Sequence, residues 1–172
     1  MERGVEFLKS QVANAILLHR TFLQALEDHA NQANDSRLGD LSARYLPKMI
    51  EHQHMLEDYQ RSVGGTDGLV KKVAGVALGV VRDFADVVRE DDFLRLVGDI
   101  VLARQMEDTF KTFREAGRTL GLQQLAQIGE IGERHHDEYA KDANRLVQQM
   151  FVEHVRGSEE AIRAAEQPSG RV

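Results

Sequence analysis

The chain has 172 residues, enough for one domain with a substantial core, and a formal net charge of −6 that is spread along its length. The sequence has no basic cluster of the kind that would indicate a nucleic-acid-binding surface. The absence of cysteine excludes disulfides and thiolate metal sites and leaves carboxylate, imidazole or water as metal ligands. The longest uncharged apolar stretch, residues 73–81, is far short of the roughly 20 residues of a membrane span. The first residues lack the apolar run of a signal peptide, so we expect a cytoplasmic protein with no membrane span.

Two long amphipathic helices are predicted in the first third of the chain. Apolar residues recur at spacings of three and four over residues 4–31 and again over residues 36–62. The polar residues between the two segments are typical of a turn and a helix N-cap. Pro47 lies inside the second helix, and we expect it to bend the helix near Ala43 because proline removes one backbone donor.

Three further helices are predicted beyond a glycine-rich break. Residues 69–89 predict a connecting helix with one apolar side, and residues 92–116 and 122–156 predict two core helices. Gly117 and Gly121 are expected to bracket the turn between the two core helices. A connection of about 20 helical residues spans roughly 30 Å, which is close to the length of the predicted bundle.

These elements predict an all-α fold. Two antiparallel helical hairpins joined by a helical crossover define the ferritin-like four-helix bundle. We therefore expect a ferritin-like bundle over residues 1–157 and a flexible C-terminal tail over residues 158–172, where the sequence becomes charged and ends in a glycine- and proline-containing segment.

Two Glu-x-x-His tetrads indicate a metal site. Glu51 and His54 lie in the second helix and Glu133 and His136 in the last, and residues three apart share one side of a helix. In di-iron and di-manganese bundles, two such pairs combine with glutamates from the other two helices. Glu107 lies among the regularly spaced apolar residues of the helix predicted over residues 92–116. An unpaired carboxylate is costly to bury at such a position.

The facing of these side chains separates them into two groups. The height of each candidate along the bundle axis can be counted from the inter-helix turns at 1.5 Å per residue. On this count the candidates lie within about two helical turns of one another. Glu51 and His54 point away from the apolar stripe of their helix, and only a bend at Pro47 would turn them back. The side chains predicted to face inward are His19, His52, Glu107 and one of His135 and His136.

The complete set of candidate metal ligands follows from the tetrads and the inward-facing residues. A metal is expected to be iron or manganese, in a centre that contains one or two ions. Structural alternatives remain open, because His19 is also compatible with a core histidine bonded to a carbonyl. Glu107 is also compatible with an ion pair to Arg20, Arg104 or Arg114. The candidate ligands are Glu107, Glu133, His136, His19, Glu51, His54 and His52.

The chain resembles the ferritin-like superfamily and, within it, the YciF-type stress-associated proteins. The resemblance is clearest over residues 69–150. It covers the crossover Val-Ala-Gly-Val-Ala-Leu-Gly-Val-Val, the entry Arg-Glu-Asp-Asp-Phe-Leu, the segment Ala-Arg-Gln-Met-Glu that ends at Glu107, the Leu-Gly-Leu turn, and Glu133 with His136. The resemblance implies a metal-binding protein of oxidative or general stress physiology.

Two other functions remain open. The family pattern expects a glutamate from the first helix, but His19 and Thr21 occupy that level. The chain is therefore alternatively a non-catalytic ferritin-like scaffold with an eroded metal site that acts through dimerisation or a partner. The chain is alternatively a di-iron hydroxylase of a lipid-like substrate, similar to the demethoxyubiquinone hydroxylases, which also combine Glu-x-x-His pairs with an apolar crossover helix.

We expect a homo-oligomer, specifically a dimer.

Overall fold

The computed structural model describes residues 2–65 and 91–166. All regular structure within these ranges is helical, which confirms the predicted all-α class. No helix in these ranges is both long and apolar enough to cross a bilayer. The predicted connecting helix over residues 69–89 lies outside the described residues. The helices are α1 (Glu2–Gln32), α2 (Ser36–Ser62), α3 (Asp92–Leu120), α4 (Gln123–Val155) and α5 (Glu159–Glu166).

Aspartate caps define the starts of α2 and α3. The side chain of Asp35 accepts a hydrogen bond from the backbone N–H of Arg37 at 2.9 Å, and Asp91 accepts one from Phe93 at 2.8 Å. Each bond satisfies a backbone donor that has no partner inside the helix. The backbone N–H of Asp35 also donates to the Asp92 carboxylate at 2.6 Å, so the two helices begin at the same end of the bundle.

The end of α3 differs from the prediction. Gly121 ends the helix with a positive φ of 69°, as expected for a glycine C-cap, but Gly117 lies inside α3 and is buried. A Cβ atom at Gly117 would overlap the backbone of Ala126 in α4. A Cβ atom at Gly129 would overlap the backbone of Arg114 in the same way. These glycines allow the α3 and α4 backbones to approach closely, and the two helices form the most extensive helix pair.

Contacts between side chains give the directions of the helices. Helix α2 is antiparallel to α4, because Arg37 contacts Glu153 and Lys48 contacts Glu138. Helix α3 is antiparallel to α1 and to α4, whereas α2 and α3 are parallel. The end of α2 and the start of α3 therefore lie at opposite ends of a bundle about 40 Å long, given the 27 residues of α2. A ferritin-like arrangement also requires the crossover, so it stays a prediction.

Two apolar clusters fill the interior at different heights. One is built around Phe22, Leu38 and Tyr139, and the other around Ile16, Leu56 and Phe113. Residues with polar side chains occupy the level between them. Helix α5 lies within the predicted tail, where alanine, glutamate and arginine favour helix, and none of its residues is buried.

Candidate metal centre

Three histidines from three helices meet between the two apolar clusters. His19 of α1, His52 of α2 and His136 of α4 have no exposed surface. The ring centroid of His19 lies 5.2 Å from each of the other two, which are 5.9 Å apart. Phe110 of α3 closes the fourth side, with its ring centroid 4.4 Å from that of His52. We call His19, His52 and His136 the imidazole cluster.

Two of these rings are oriented by backbone carbonyl groups. The Nε2 atom of His52 lies 3.0 Å from the carbonyl oxygen of Ile128, and the Nδ1 atom of His136 lies 2.7 Å from that of Gly132. A carbonyl oxygen can only accept, so both nitrogens donate. In the neutral rings the other nitrogen, Nδ1 of His52 and Nε2 of His136, therefore carries a lone pair.

A series of hydrogen-bonded side chains orients the ring of His19. The amide Nε2 of Gln53 donates to the Glu57 carboxylate at 2.6 Å, and Glu57 also accepts from Arg20 at 2.7 Å. Because the carboxylate accepts from the Gln53 NH₂ group, the amide oxygen of Gln53 is the atom that faces His19. It lies 2.8 Å from Nδ1 of His19, which must donate. The lone pair of His19 is therefore on Nε2.

Among the residues that the structure describes, no hydrogen-bond donor faces these three lone pairs. The Nε2 atom of His19 and the Nδ1 atom of His52 lie 3.5 Å apart, and in the assigned tautomers neither carries a hydrogen. The Nε2 atom of His136 is buried without a hydrogen-bond partner among the described residues. A buried polar atom without a partner costs free energy, which makes this arrangement unusual for a purely structural core.

Burial keeps the cluster neutral. Loss of hydration, followed by the nearby His52, lowers the pKa of His19 to about 3. Loss of hydration also lowers the pKa of His52 to about 4 and that of His136 well below its ordinary value. All three rings are therefore uncharged at neutral pH, and neutral imidazole is the form that binds metal ions.

The predicted carboxylate ligands lie outside the cluster. Glu107 was expected to be buried, but 22% of its side chain is exposed and it pairs with Arg104, one of the three arginines considered as partners. The seam of α3 continues from Ala103 to Met106, a step of three residues, so Glu107 is rotated away from the centre. Glu133 is half-buried and pairs with Arg114.

The remaining candidates are separated from the cluster. Glu51 and His54 are exposed, and α2 continues through Pro47 without turning them inward. Of the two adjacent histidines, His136 is the inward one. His135 is half-buried at the α2–α4 contact, where burial lowers its pKa. The donor set therefore does not fit a dinuclear carboxylate centre, because no predicted glutamate reaches the imidazole cluster in the described residues.

Sequence reasoning missed several residues that shape this level of the bundle. Gly132 is one of them, because a Cβ atom there would lie 2.5 Å from atoms of both His52 and Phe110. A glycine between large apolar seam residues was the available signal. Gln53 follows directly after an inward histidine, but no spacing rule marks it as the partner of His19.

A second buried polar network was also missed. The Asp99 carboxylate accepts hydrogen bonds from the Tyr139 hydroxyl at 3.0 Å and from Nδ1 of His29 at 2.8 Å. Burial and Asp99 raise the pKa of Tyr139 well above its ordinary value, so its hydroxyl remains a donor. The network joins α1, α3 and α4. The indication in the sequence was Asp99 itself, an aspartate among the apolar residues of α3 between Leu96 and Ala103.

Neither the side-chain positions nor the comparisons identify a metal protein. Within residues 2–65 and 91–166, no group of three His, Asp or Glu side chains is arranged to hold a metal ion as the side chains stand. The nitrogens of the imidazole cluster would have to turn toward one point. No protein-family model matches the chain, and no curated protein or solved structure matches it. The resemblance to the ferritin-like superfamily therefore rests on sequence motifs alone.

Proposed function

We propose that the protein binds a divalent transition-metal ion at the imidazole cluster. The observation that supports this proposal is the set of three buried lone pairs on His19, His52 and His136, two of which face each other at 3.5 Å. A cation placed among these nitrogens would replace three unsatisfied acceptors by three bonds. The outer nitrogen of each ring already donates to an oxygen, as is usual for histidines that bind metals.

The proposal includes a ferritin-like fold and a role in stress physiology. The parallel directions of α2 and α3 are the relationship that a long crossover between two hairpins requires. The role in oxidative or general stress, the cytoplasmic location and the dimer are proposed from the sequence and its resemblance to the YciF-type proteins.

Different side chains of this protein would bind the ion, orient its ligands and exclude water at such a site. A bound ion supplies Lewis-acid or redox chemistry, according to its identity. His19, His52 and His136 would bind it, Gln53 would keep the lone pair of His19 directed inward, and Phe110 and the two apolar clusters would exclude water. Exclusion of water strengthens the electrostatic interactions inside the site.

A non-catalytic scaffold is the second candidate. The ion pairs Glu107–Arg104 and Glu133–Arg114 neutralise the two carboxylates that a dinuclear centre would use, and this observation favours an eroded site. In that case the imidazole cluster is a structural core and the protein acts through a partner or a second copy. The lipid hydroxylase needs the same carboxylates, and the apolar crossover helix that suggested it lies outside the described residues.

Metal analysis of matched variants separates the two candidates. The chain, produced without a polyhistidine tag, is refolded with zinc, cobalt, iron or manganese, and the bound metal is measured by elemental analysis after removal of the excess. We expect about one ion per chain in the wild type. His52→Leu should lose the ion and His54→Leu, the same substitution at an exposed site on the same helix, should keep it. Less than about a tenth of an equivalent of every metal in the wild type would favour the scaffold.

A further inference from the structure

We infer that two copies of this chain associate end to end, through the end of the bundle that holds the start of α1 and the turn between α3 and α4. We call this the lower end. The first turns of α1 in one copy pack against Leu120 and Leu122 of the other, and a two-fold axis repeats the contact. The inference rests on the dimer in the proposed function, for which it names the surface, and it requires no metal at the imidazole cluster.

Helix α1 extends further at the lower end than the other three long helices. The imidazole cluster and Phe110 mark one common level of the bundle. Counted from that level at 1.5 Å per residue, α1 reaches about 25 Å, whereas α2, α3 and α4 reach about 15–20 Å. Residues 2–7 are all exposed. Because α1 projects past the α3–α4 turn, its first turns can reach the same turn of a copy placed end to end.

Two apolar stripes continue past the buried core at this end. On α1, Val5 lies seven residues before the fully buried Val12 and is 48% exposed. On α3, Leu120 lies seven residues after the buried Phe113 and is 67% exposed. Residues seven apart share one side of a helix, so Val5 and Leu120 extend the core-facing stripes of two helices into solvent.

The lower end also holds the most exposed apolar side chains. Phe7 and Leu120, each 67% exposed, have the largest exposed fraction among the large apolar residues that the structure describes, and Leu122 is exposed close to Leu120. A short helical segment is marginal in water without packing, yet the first turns of α1 present both Val5 and Phe7 to solvent. An apolar patch of this kind marks an interaction site.

The distribution of charge favours a second copy as the occupant of this patch. Over residues 2–13, 58–65 and 116–130, which form the lower end, four acidic residues balance four basic ones. Over residues 25–46, 91–104 and 142–155, which form the opposite end, nine acidic residues face five basic ones. Like charges repel, so two acidic ends oppose association, whereas two neutral lower ends can meet.

Ion pairs at the lower end keep its charges satisfied while leaving the apolar residues free. Lys9 pairs with Glu6 at 2.9 Å, Arg118 pairs with Glu130 at 3.1 Å, and Arg61 pairs with Asp58. Association through Phe7 and Leu120 therefore needs no charged group to leave its partner. Specific interfaces bury about 1,000 Å² or more in total, and two turns of helix with one interhelical turn come near this lower limit. We expect a reversible dimer with a dissociation constant in the micromolar range.

Complementary charge variants test the contact. The molar mass of the full chain is measured by analytical ultracentrifugation at about 100 μM, well above a micromolar dissociation constant. The wild type should have twice the chain mass of 19.4 kDa. Phe7→Glu and Leu120→Lys should each be monomeric, because each places a charge in both halves of the two-fold contact. Phe151→Glu, at a 58% exposed phenylalanine of the opposite end, is the matched control and should remain dimeric.

An equal mixture of Phe7→Glu and Leu120→Lys should form a dimer again. In the mixed dimer the introduced carboxylate of one copy faces the introduced ammonium group of the other, and the second half of the contact keeps Phe7 against Leu120. Circular dichroism checks the fold of each variant, which should persist because both positions are exposed.

The possible failures are distinguishable. A dimer that survives both single substitutions, or a mixture that stays monomeric, would overturn the lower end as the surface. A monomeric wild type would overturn the dimer as well. Metal content is measured separately on the same samples, so either result leaves the test of metal binding at the imidazole cluster intact.

Discussion

Gly132 of α4 lies directly against the imidazole ring of His52 in α2. A Cβ atom at position 132 would stand 2.5 Å from Cε1 of His52 and from Cγ of Phe110, and both are atoms of rigid rings. The glycine therefore sets how closely the two hairpins approach at the level of the imidazole cluster. Its own carbonyl also orients His136, so one residue positions two of the three rings.

Substitution of this glycine tests the packing. We expect Gly132→Ala to lower the free energy of unfolding by about 1–3 kcal/mol, because the overpacking cost exceeds the gain of less than about 1 kcal/mol in helix propensity. Gly4→Ala, where a Cβ atom meets nothing within 4 Å, should be neutral or slightly stabilising. Urea denaturation measures both. A Gly132→Ala protein as stable as the wild type would show that α2 and α4 are not closely packed here.

Acid should destabilise the metal-free protein in a window set by the buried rings. The folded chain holds His19 and His52 neutral, with pKa values of about 3 and about 4, whereas the unfolded chain protonates them near the ordinary value of 6.5. The unfolded state therefore binds more protons, and stability falls as pH decreases below about 6.5, by roughly 1.4 kcal/mol per pH unit for each ring.

Urea titrations between pH 7 and pH 5.5 isolate this effect, because in this range most carboxylates remain ionised in both states. His52→Leu should reduce the slope of stability against pH relative to the wild type, because it removes a ring that burial holds neutral. Equal slopes in the wild type and in His52→Leu would contradict the burial of this ring in its neutral form.

Gln53 is predicted to act on the metal through His19. Gln53→Leu removes the oxygen that accepts from Nδ1 of His19, so the ring is no longer held in the tautomer that directs its lone pair inward. We expect zinc affinity to fall about 10–100-fold, measured by competition with a chelator, with one ion still bound at saturation. Gln148→Leu on the exposed face of α4 is the matched control and should bind as the wild type does. An unchanged affinity in Gln53→Leu would remove Gln53 from the site.

The Asp99 network should contribute strongly to stability. Asp99→Ala leaves the Tyr139 hydroxyl and Nδ1 of His29 without their common acceptor in a buried environment. We expect a loss of about 2–4 kcal/mol in the free energy of unfolding, since two buried donors lose their partner. Asp108→Ala, on the exposed side of the same helix, should change stability little. If both variants were equally stable in urea, the network would be open to water in solution.

Much of the local structure could be read from the sequence because it depends on neighbours along the chain. The apolar spacing located the four long helices to within a few residues, and Asp35 lies in the segment expected to supply the N-cap of α2. The inward facing of His19 and His52 followed from the same periodicity. Helix α5 and the C-terminal extension of α3 past Gly117 did not, because the first lacks a buried face and the second depends on contact with Ala126.

The seam of α3 shows the limit of periodicity. A helix of 3.6 residues per turn allows a step of three or four after Ala103, and the choice decides whether Met106 or Glu107 faces the interior. The apolar pattern of the sequence favours neither step clearly. In the structure Glu107 is rotated away from the interior and pairs with Arg104, which lies about one turn before it on the same helix. A difference of one position rotates a side chain by about 100°, which moved the predicted metal ligand to the surface.

The sequence by itself determined that the long segments are helical and that His19 and His52 face inward, because both properties follow from the order of apolar and polar residues along one helix. Only the tertiary structure decided that these rings come from three helices and meet at one level, that Gln53, Ile128 and Gly132 orient their protons, and that arginines hold the glutamates. These relationships join residues distant in sequence, so they depend on how the helices pack rather than on any spacing within one of them.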